Sequence, residues 1–179
     1  TRQPGATKLG MRLRGLLLDR ENTHITSRAE ALLYAADKAD HVEQEILPAL
    51  HRGAVVISDR YVDSTLAYQG AGRELSVEEI REVDAWATRG LVPDLSVLLD
   101  VAPEEGLSRI GGPSDRIESE SAEFHERVRK GFRALAEEHP EPYLVLDAGE
   151  PRERVTREIQ RRVRSLLPDP VPSNAEEVT

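Results

Sequence analysis

Hydrophobic positions along the chain follow two patterns, a helical period in some segments and short continuous runs in others. Leucines at helical spacing in residues 8–18 predict a first helix. Ser27 and Glu30 have the spacing of a capping box and predict a helix over residues 27–52 that ends before a glycine. Pro48 is expected to kink this helix or to separate its last turn.

Short apolar runs between the helical segments predict buried β-strands. The runs are residues 54–58, 95–100 and 143–147. Further helices are predicted at residues 63–69, 76–89, 103–109, 119–138 and 151–167, with a glycine-containing loop at 70–73. Strands that alternate with helices predict an α/β fold in which a parallel sheet is flanked by helices.

The length and the composition limit the classes of function. At 179 residues the chain suits one domain, which we place at residues 1–167, with a lid at about 109–118 and a disordered tail at 168–179. A net charge of −9 argues against nucleic-acid binding and against acidic membranes, because both need a basic surface. No apolar stretch approaches the ~20 residues of a membrane helix. The absence of cysteine fits a cytoplasmic protein.

Asp59 and Arg60 come directly after the predicted strand at residues 54–58. Ligands of open α/β sheets lie just beyond the carboxyl ends of such strands. There a carboxylate suits the cation side of a metal–phosphate pair, and a guanidinium suits a bidentate grip on phosphate oxygens. The alternative is a buried structural ion pair between the two side chains.

Tyr34, Asp37, Lys38 and His41 share one face of the helix predicted at 27–52, because the last three follow Tyr34 at helical spacing. On this face Tyr34 suits stacking on a base, and Lys38, one turn away, suits donation to a base carbonyl. The alternative is a half-buried tyrosine beside solvated charges. His41 is expected at the surface or behind a residue of the site.

The helix predicted at 63–69 carries three more candidates for nucleotide binding. Tyr68 suits a flat wall against a sugar ring, and Thr65 or Gln69 suits a hydrogen bond to a base edge. The alternative for all three is ordinary packing.

Arg109 and Arg116 bracket a glycine-rich segment with the properties of a lid. Glycines permit hinge motion, and the two cations suit phosphates that gain negative charge in a transition state. The alternative is a surface loop in which Asp115 pairs with Arg116.

Taken together, four segments of the sequence resemble bacterial thymidylate kinases, which are nucleoside-monophosphate kinases of the P-loop class. In chain order they are TRQPGAT at 1–7, LLYAADKA at 32–39, DRYVDSTLAYQG at 59–70 and DRIE at 115–118. The third is the most specific, because Asp-Arg is common among nucleotide kinases whereas its continuation to Ala-Tyr-Gln-Gly is not. The resemblance covers residues 1 to about 166 and implies transfer of a phosphoryl group from ATP to dTMP.

The resemblance implies roles for the matching residues of the acceptor site. Arg60 holds the dTMP phosphate, Tyr34 stacks on thymine, and Lys38 replaces an arginine that bonds the base carbonyl. Thr65 contacts the pyrimidine edge, and Tyr68 packs under the deoxyribose, where it crowds out a 2′-hydroxyl. The remaining substrate-binding candidates are Gln3, Gln69 and Arg73.

The resemblance also implies a donor side, with Mg²⁺ bound together with ATP. Asp59 acts indirectly on the metal and helps to organise the phosphates. Arg109 and Arg116 contact the donor nucleotide and the transferring phosphoryl group from the lid. Asp59, Arg60 and Arg116 are then the expected catalytic residues, and a homodimer through the helices predicted at 27–52 and 76–89 is the implied assembly.

The sequence departs from the family pattern at three places. Lys38 supplies one ammonium where the family has a forked guanidinium, and Gln3 and Ala6 replace glutamate and glycine. No Gly-x-x-x-x-Gly-Lys-Ser/Thr loop occurs, and because the family places it ahead of Thr1, we expect the chain to be a truncated form. The alternatives are a non-catalytic nucleotide-binding or dimerising remnant and a kinase for another deoxynucleoside monophosphate.

Overall fold

The computed structural model describes residues 1–168, so the tail expected at 168–179 lies, except for Pro168, outside the described residues. Helices and strands alternate along most of the chain. The α-helices are α1 (Lys8–Leu18), α2 (Ser27–His41), α3 (Leu47–His51), α4 (Val62–Thr65), α5 (Val77–Thr88), α6 (Pro103–Ser108), α7 (Ala122–Glu138) and α8 (Arg152–Arg164). The strands are β1 (Ser96–Asp100) and β2 (Tyr143–Asp147). π-Helical turns at Val42–Ile46 and Leu66–Gly72 continue α2 and α4.

The two strands pair in parallel, which confirms the α/β class and the parallel sheet. Their register runs from Ser96 opposite Tyr143 to Asp100 opposite Asp147. Helices α6 and α7 lie between them in the chain, as a parallel crossover requires. The predicted strand at 143–147 has the observed bounds, and the one at 95–100 begins one residue too early.

The prediction of a buried strand at 54–58 is wrong. The Ile57–Asp59 backbone runs beside Thr1–Gln3 and shares a single parallel bridge with it, between Arg2 and Asp59. The side chains of Val55 and Ile57 are 63% and 78% exposed. A strand needs a continuous hydrogen-bonded neighbour, and the described residues supply only this short one.

Side-chain caps fix where the longer helices begin. Thr7, Thr26, Ser76 and Ser121 each accept a hydrogen bond from a backbone N–H in the first turn of α1, α2, α5 and α7. The predicted cap of α2 at Ser27 is therefore one residue late, and Glu30 is not its capping-box partner. The predicted cap at Ser76 is confirmed.

The predicted long helix at 27–52 is interrupted. A π-helical turn at Val42–Ile46 separates α2 from α3, and Pro48 lies in the first turn of α3. Because proline has no N–H to donate to the carbonyl four residues earlier, the helical bonding has to change just before it. Of the two effects expected of Pro48, a kink or a separated last turn, the structure shows the separated last turn.

The loop predicted at 70–73 is largely helical. The π-helical turn extends to Gly72, whose missing Cβ would lie 2.8 Å from side-chain atoms of both Phe124 and Val128. Glycine is needed here because α7 packs against this turn. The glycines that predicted a loop therefore serve close helix packing.

Two clusters of buried apolar side chains hold the helices together. One contains Ala31, Leu66, Ile80 and Leu135, and the other contains Ala67, Ile117, Phe124 and Val128. Because Leu66 and Ala67 are neighbours in the chain, the segment that carries them is anchored on both sides. Thr65, Tyr68 and Gln69 lie on the same segment, so the core fixes their positions.

Within residues 1–168, no helix has the length and apolar character needed to cross a membrane.

Candidate functional site

A cleft of about 550 Å³ brings together most of the residues that the sequence nominates. We call it the main cleft. The nominated residues along it are Gln3, Tyr34, Lys38, Asp59, Arg60, Thr65, Tyr68 and Gln69. The other three, Arg73, Arg109 and Arg116, do not line it.

Arg60 is exposed in the main cleft, with a backbone φ of 67° that is unusual for a residue with a side chain. Its guanidinium carbon lies 5.0 Å from the centre of the Tyr68 ring, and Nη2 lies 3.4 Å from the Tyr68 hydroxyl. Among the described residues no carboxylate lies within ion-pair distance of Arg60. The alternative of a buried Asp59–Arg60 ion pair is therefore wrong.

Tyr68 is held by aromatic neighbours on α7. Its ring centre lies 6.2 Å from that of Phe124 and 6.0 Å from that of Phe132, with the second pair edge to face. Tyr68 therefore packs against α7 and lines the main cleft with the same ring, so packing and ligand contact are compatible.

Tyr34 and Lys38 point from the same face of α2 toward the main cleft, as their spacing predicts. The Lys38 ammonium lies 5.9 Å from the centre of the Tyr34 ring. Burial raises the pKa of Tyr34, and the charge of Glu30 raises it further, so the phenol stays protonated.

The description of this face as solvated charges is wrong, because Lys38 is only 2% exposed. Its Nζ lies 3.3 Å from Oδ1 of Asp84 on α5 and donates to the Thr65 hydroxyl. Burial lowers the pKa of Lys38 and raises that of Asp84, and their mutual attraction opposes both changes. The ammonium expected at a base carbonyl thus already has two protein partners.

Sequence reasoning missed Asp84, although a signal was available. The buried positions of α5 are Ile80, Asp84, Ala87 and Thr88, which recur at helical spacing. An acid in the apolar stripe of an amphipathic helix indicates a buried partner. The charge of that partner could have been predicted, but not its identity.

The segment at 1–7 is anchored on the same face of α2. Gln3 Nε2 and the Thr1 hydroxyl lie 2.8 and 2.7 Å from the two ring nitrogens of His41, which is fully buried. The Gly5 N–H donates to Asp37 at 3.0 Å. His41 is therefore not at the surface but lies behind Gln3, which lines the main cleft.

Arg73 and Arg116 meet at Glu30, which is completely buried. Arg73 donates to both oxygens of Glu30 at 3.0 and 3.1 Å, and Arg116 donates to Oε2 at 2.5 Å. Gln69 donates to Oε1 at 2.8 Å. Burial alone would raise the pKa of Glu30, but these hydrogen bonds outweigh it and lower the pKa.

Arg73 and Arg116 also line a second cleft, of about 330 Å³, together with Arg20. At one end of the expected lid, Arg116 is held in place by hydrogen bonds. Its Nε donates to the Leu17 carbonyl, and its backbone N–H donates to the Leu18 carbonyl. Asp115 accepts from two backbone N–H groups rather than from Arg116, so the alternative of an Asp115–Arg116 pair is wrong.

Arg109 lies apart from Arg116. Its guanidinium pairs with Glu105 one turn earlier at 2.5 Å and donates to the Ala148 carbonyl at 3.0 Å, with the side chain about half exposed. The two arginines of the expected lid therefore have different environments. Arg109 is half exposed, whereas Arg116 is hydrogen-bonded to the buried Glu30.

No cluster of three or more potential metal ligands occurs within residues 1–168. Mg²⁺ at a nucleotide usually keeps several waters and takes one or two protein carboxylates, the rest of its ligands being phosphate oxygens. Asp59, an exposed carboxylate on the wall of the main cleft, fits that mode of binding.

The chain is similar to a known protein family and to several known proteins. The model of the family described as thymidylate kinase matches residues 1–159. Thymidylate kinases of Clavibacter michiganensis subsp. michiganensis and Cutibacterium acnes are 52% and 53% identical over 170 and 167 residues, covering 93% of this chain and 80% and 81% of those proteins. The thymidylate kinase of Desulfovibrio desulfuricans is 48% identical over 176 residues, covering 93% and 81%.

Proposed function

The chain belongs to the thymidylate kinase family, and we propose that it transfers the γ-phosphoryl group of ATP to dTMP, giving dTDP and ADP. The observation that carries this proposal is the main cleft, in which the exposed guanidinium of Arg60 stands beside Tyr34 and Tyr68. A cation for a phosphate and two aromatic rings for a nucleoside suit a deoxynucleoside monophosphate.

The acceptor phosphate binds to Arg60 in this proposal. A guanidinium holds a phosphate by two parallel charge-assisted hydrogen bonds, which need unoccupied N–H groups. Arg60 has them, because within residues 1–168 the hydrogen bond of its guanidinium is the long one to the Tyr68 hydroxyl. An acceptor oxygen held in this way is already a competent nucleophile, so the transfer needs no covalent enzyme intermediate.

The nucleoside binds between Tyr34 and Tyr68. Tyr34 stacks on the pyrimidine, Tyr68 supports the deoxyribose and excludes a 2′-hydroxyl, and Thr65 and Gln69 approach the base edge. Lys38 takes part mainly through Thr65, because its ammonium is bound to Asp84 and to the Thr65 hydroxyl. Gln3 extends the same wall of the cleft.

On the donor side, Asp59 is the residue that would approach Mg²⁺, and the metal supplies charge neutralisation for the ATP phosphates when it is bound. Arg109 is half exposed and can turn toward a donor nucleotide. Arg116 can act on a transferring phosphoryl group only after it leaves Glu30, whereas Arg73 supports the site from the second cleft.

We also infer a homodimer through α2 and α5 and a cytoplasmic location. Leu32 on α2 and Trp86 on α5 are 59% and 84% exposed, which supports an apolar contact with a second copy. The absence of cysteine from the sequence is compatible with the location. Light scattering of the purified protein tests the dimer, and a monomer at all concentrations would contradict it.

The function is tested by dTMP titration and by ADP release from ATP and Mg²⁺, with UMP as the matched control. We expect saturable dTMP binding and dTMP-dependent ADP release, with UMP a poor acceptor. A protein that binds no dTMP contradicts the proposal. Binding without turnover would instead favour a nucleotide-binding role without catalysis.

A further inference from the structure

Glu30 is the most heavily hydrogen-bonded carboxylate next to the main cleft, although its place in the sequence resembles that of an ordinary helix cap. It is 0% exposed and accepts four hydrogen bonds from Gln69, Arg73 and Arg116, which belong to two other segments of the chain. Arg73 has a further partner in Glu120 at 2.6 Å. Three N–H-rich side chains thus converge on one buried anion.

The chemistry of Glu30 fixes the orientation of the Gln69 amide. An ionised carboxylate can only accept hydrogen bonds, so the atom of Gln69 that faces it must be the donor, Nε2. The hydrogen bonds from the arginines lower the pKa of Glu30, so it is ionised at neutral pH. The other end of the amide is then the acceptor, Oε1.

We propose that Glu30 is a positioning residue for base selection: by fixing the Gln69 amide it makes the main cleft complementary to a pyrimidine that carries an N3–H donor. This inference rests on the function proposed above. Thymine and uracil carry a proton on N3, whereas cytosine has an acceptor there. An amide held with its oxygen outward accepts from the first kind of base and repels the second.

The same carboxylate fastens the segment that contains Arg116 to α2. Arg116 reaches Glu30 and the carbonyl of Leu17, and Arg73 lies with its guanidinium carbon 4.8 Å from the centre of the Phe124 ring. Base selection and the anchoring of residues 115–118 therefore depend on one side chain. Loss of the Glu30 charge is expected to affect both.

The test is Glu30→Gln, which keeps the size of the side chain but lets it donate as well as accept. We expect the Kd for dTMP to rise about tenfold and the preference for dTMP over dCMP to fall by a similar factor, the value of one hydrogen bond. Hydrogen exchange at residues 115–118 should become faster, while exchange in β1 and β2 stays unchanged. A residue that only stabilises the fold would not alter the choice between the two bases.

Glu79→Gln is the matched control, because Glu79 makes an exposed ion pair with Arg28. It should leave both affinities unchanged. If Glu30→Gln does not fold, Glu30→Asp replaces it, since the shorter side chain keeps the charge for the arginines but retreats from Gln69. An unaltered dTMP-to-dCMP ratio in a folded variant overturns the inference, whereas an unaltered protein that binds no dTMP overturns the proposed function itself.

Discussion

Arg60 and Arg116 are both arginines in Asp-Arg pairs, yet their surroundings are opposite. Arg60 is exposed, its backbone lies in the left-handed region, and the partner of its guanidinium within residues 1–168 is a tyrosine hydroxyl at 3.4 Å. Arg116 is nearly buried and donates to Glu30 and to the Leu17 carbonyl. The difference is a buried carboxylate, which decides whether a guanidinium is available to a ligand or already satisfied by the protein.

The same distinction separates Arg60 from Lys38, which are two of the cations that line the main cleft. Arg60 keeps its N–H groups for a ligand, whereas Lys38 is paired with Asp84 in the interior. Attraction in a poorly solvated site is strong, but so is the cost of removing both charges from water. Cations with protein partners are therefore expected to affect stability when they are altered, and Arg60 to affect affinity.

The largest effect is expected from breaking the pair that Lys38 makes with Asp84. Asp84→Asn leaves the ammonium buried without a counter-charge, and we expect the free energy of unfolding to fall by about 3 kcal/mol. Urea denaturation measures it. Replacing both residues, Lys38→Met with Asp84→Leu, should restore most of the loss, since no charge then remains buried. If Asp84→Asn is no more costly than Glu79→Gln at the exposed pair, the assignment is wrong.

A smaller change, in affinity rather than stability, is expected from Arg60→Ala. Removal of two charge-assisted hydrogen bonds to the phosphate should raise the Kd for dTMP about a hundredfold, or about 2.8 kcal/mol. The free energy of unfolding should change by less than about 0.5 kcal/mol, because the side chain is exposed. Titration with thymidine is the matched control, since it has no phosphate.

Titration with thymidine distinguishes a contact of Arg60 with the phosphate from an effect of Arg60 on the shape of the cleft. Its affinity should be the same for Arg60→Ala and for the unaltered protein. Equal dTMP affinity in the two proteins would contradict the phosphate role, and an equal loss with both ligands would show that Arg60 acts on the shape of the cleft instead.

What the sequence predicts well is local. The strand at 143–147 and the cap at Ser76 follow from a few neighbouring residues, because apolar runs and first-turn donors act over one or two helical turns. The prediction of a strand at 54–58 is wrong because a strand needs a hydrogen-bonded neighbour, and which segment becomes that neighbour depends on the topology of the fold rather than on the local sequence. The spacing along α2 correctly placed Tyr34 and Lys38 on one face.

What the sequence could not give is the partner of each charge. Glu30 and Gln69 are 39 positions apart, and Glu30 and Arg116 are 86 apart, so no local pattern links them. The spacing of Glu30 after Ser27 predicts a capping box, although Glu30 lies one turn before Tyr34 on the same face of α2. Eight nominated residues meet in the main cleft, whereas their individual roles stay predictions.

The smallest effect on stability is expected at acid pH. Protonation of Glu30 there removes the negative charge that holds Arg73 and Arg116, a partner that Arg60 lacks among the described residues. Because the folded-state pKa of Glu30 is below its ordinary value, its contribution to stability is complete above the unfolded pKa and is lost as pH falls through the folded pKa. Asp100, whose hydrogen bond from Arg129 lowers its pKa, adds a second loss of the same sign.

Protonation of Glu30 and Asp100 should therefore lower the free energy of unfolding as the pH falls below about 5, with one unit of pKa difference worth about 1.4 kcal/mol. Glu30→Gln should flatten this fall but not abolish it, because Asp100 still titrates. Arg60→Ala should leave its slope unchanged, since no ion pair of Arg60 with a carboxylate occurs among the described residues. Urea denaturation across this range measures the slopes. Equal slopes for Glu30→Gln and the unaltered protein would mean that the buried carboxylate is not what secures Arg73 and Arg116, and the contrast with Arg60 would then need another cause.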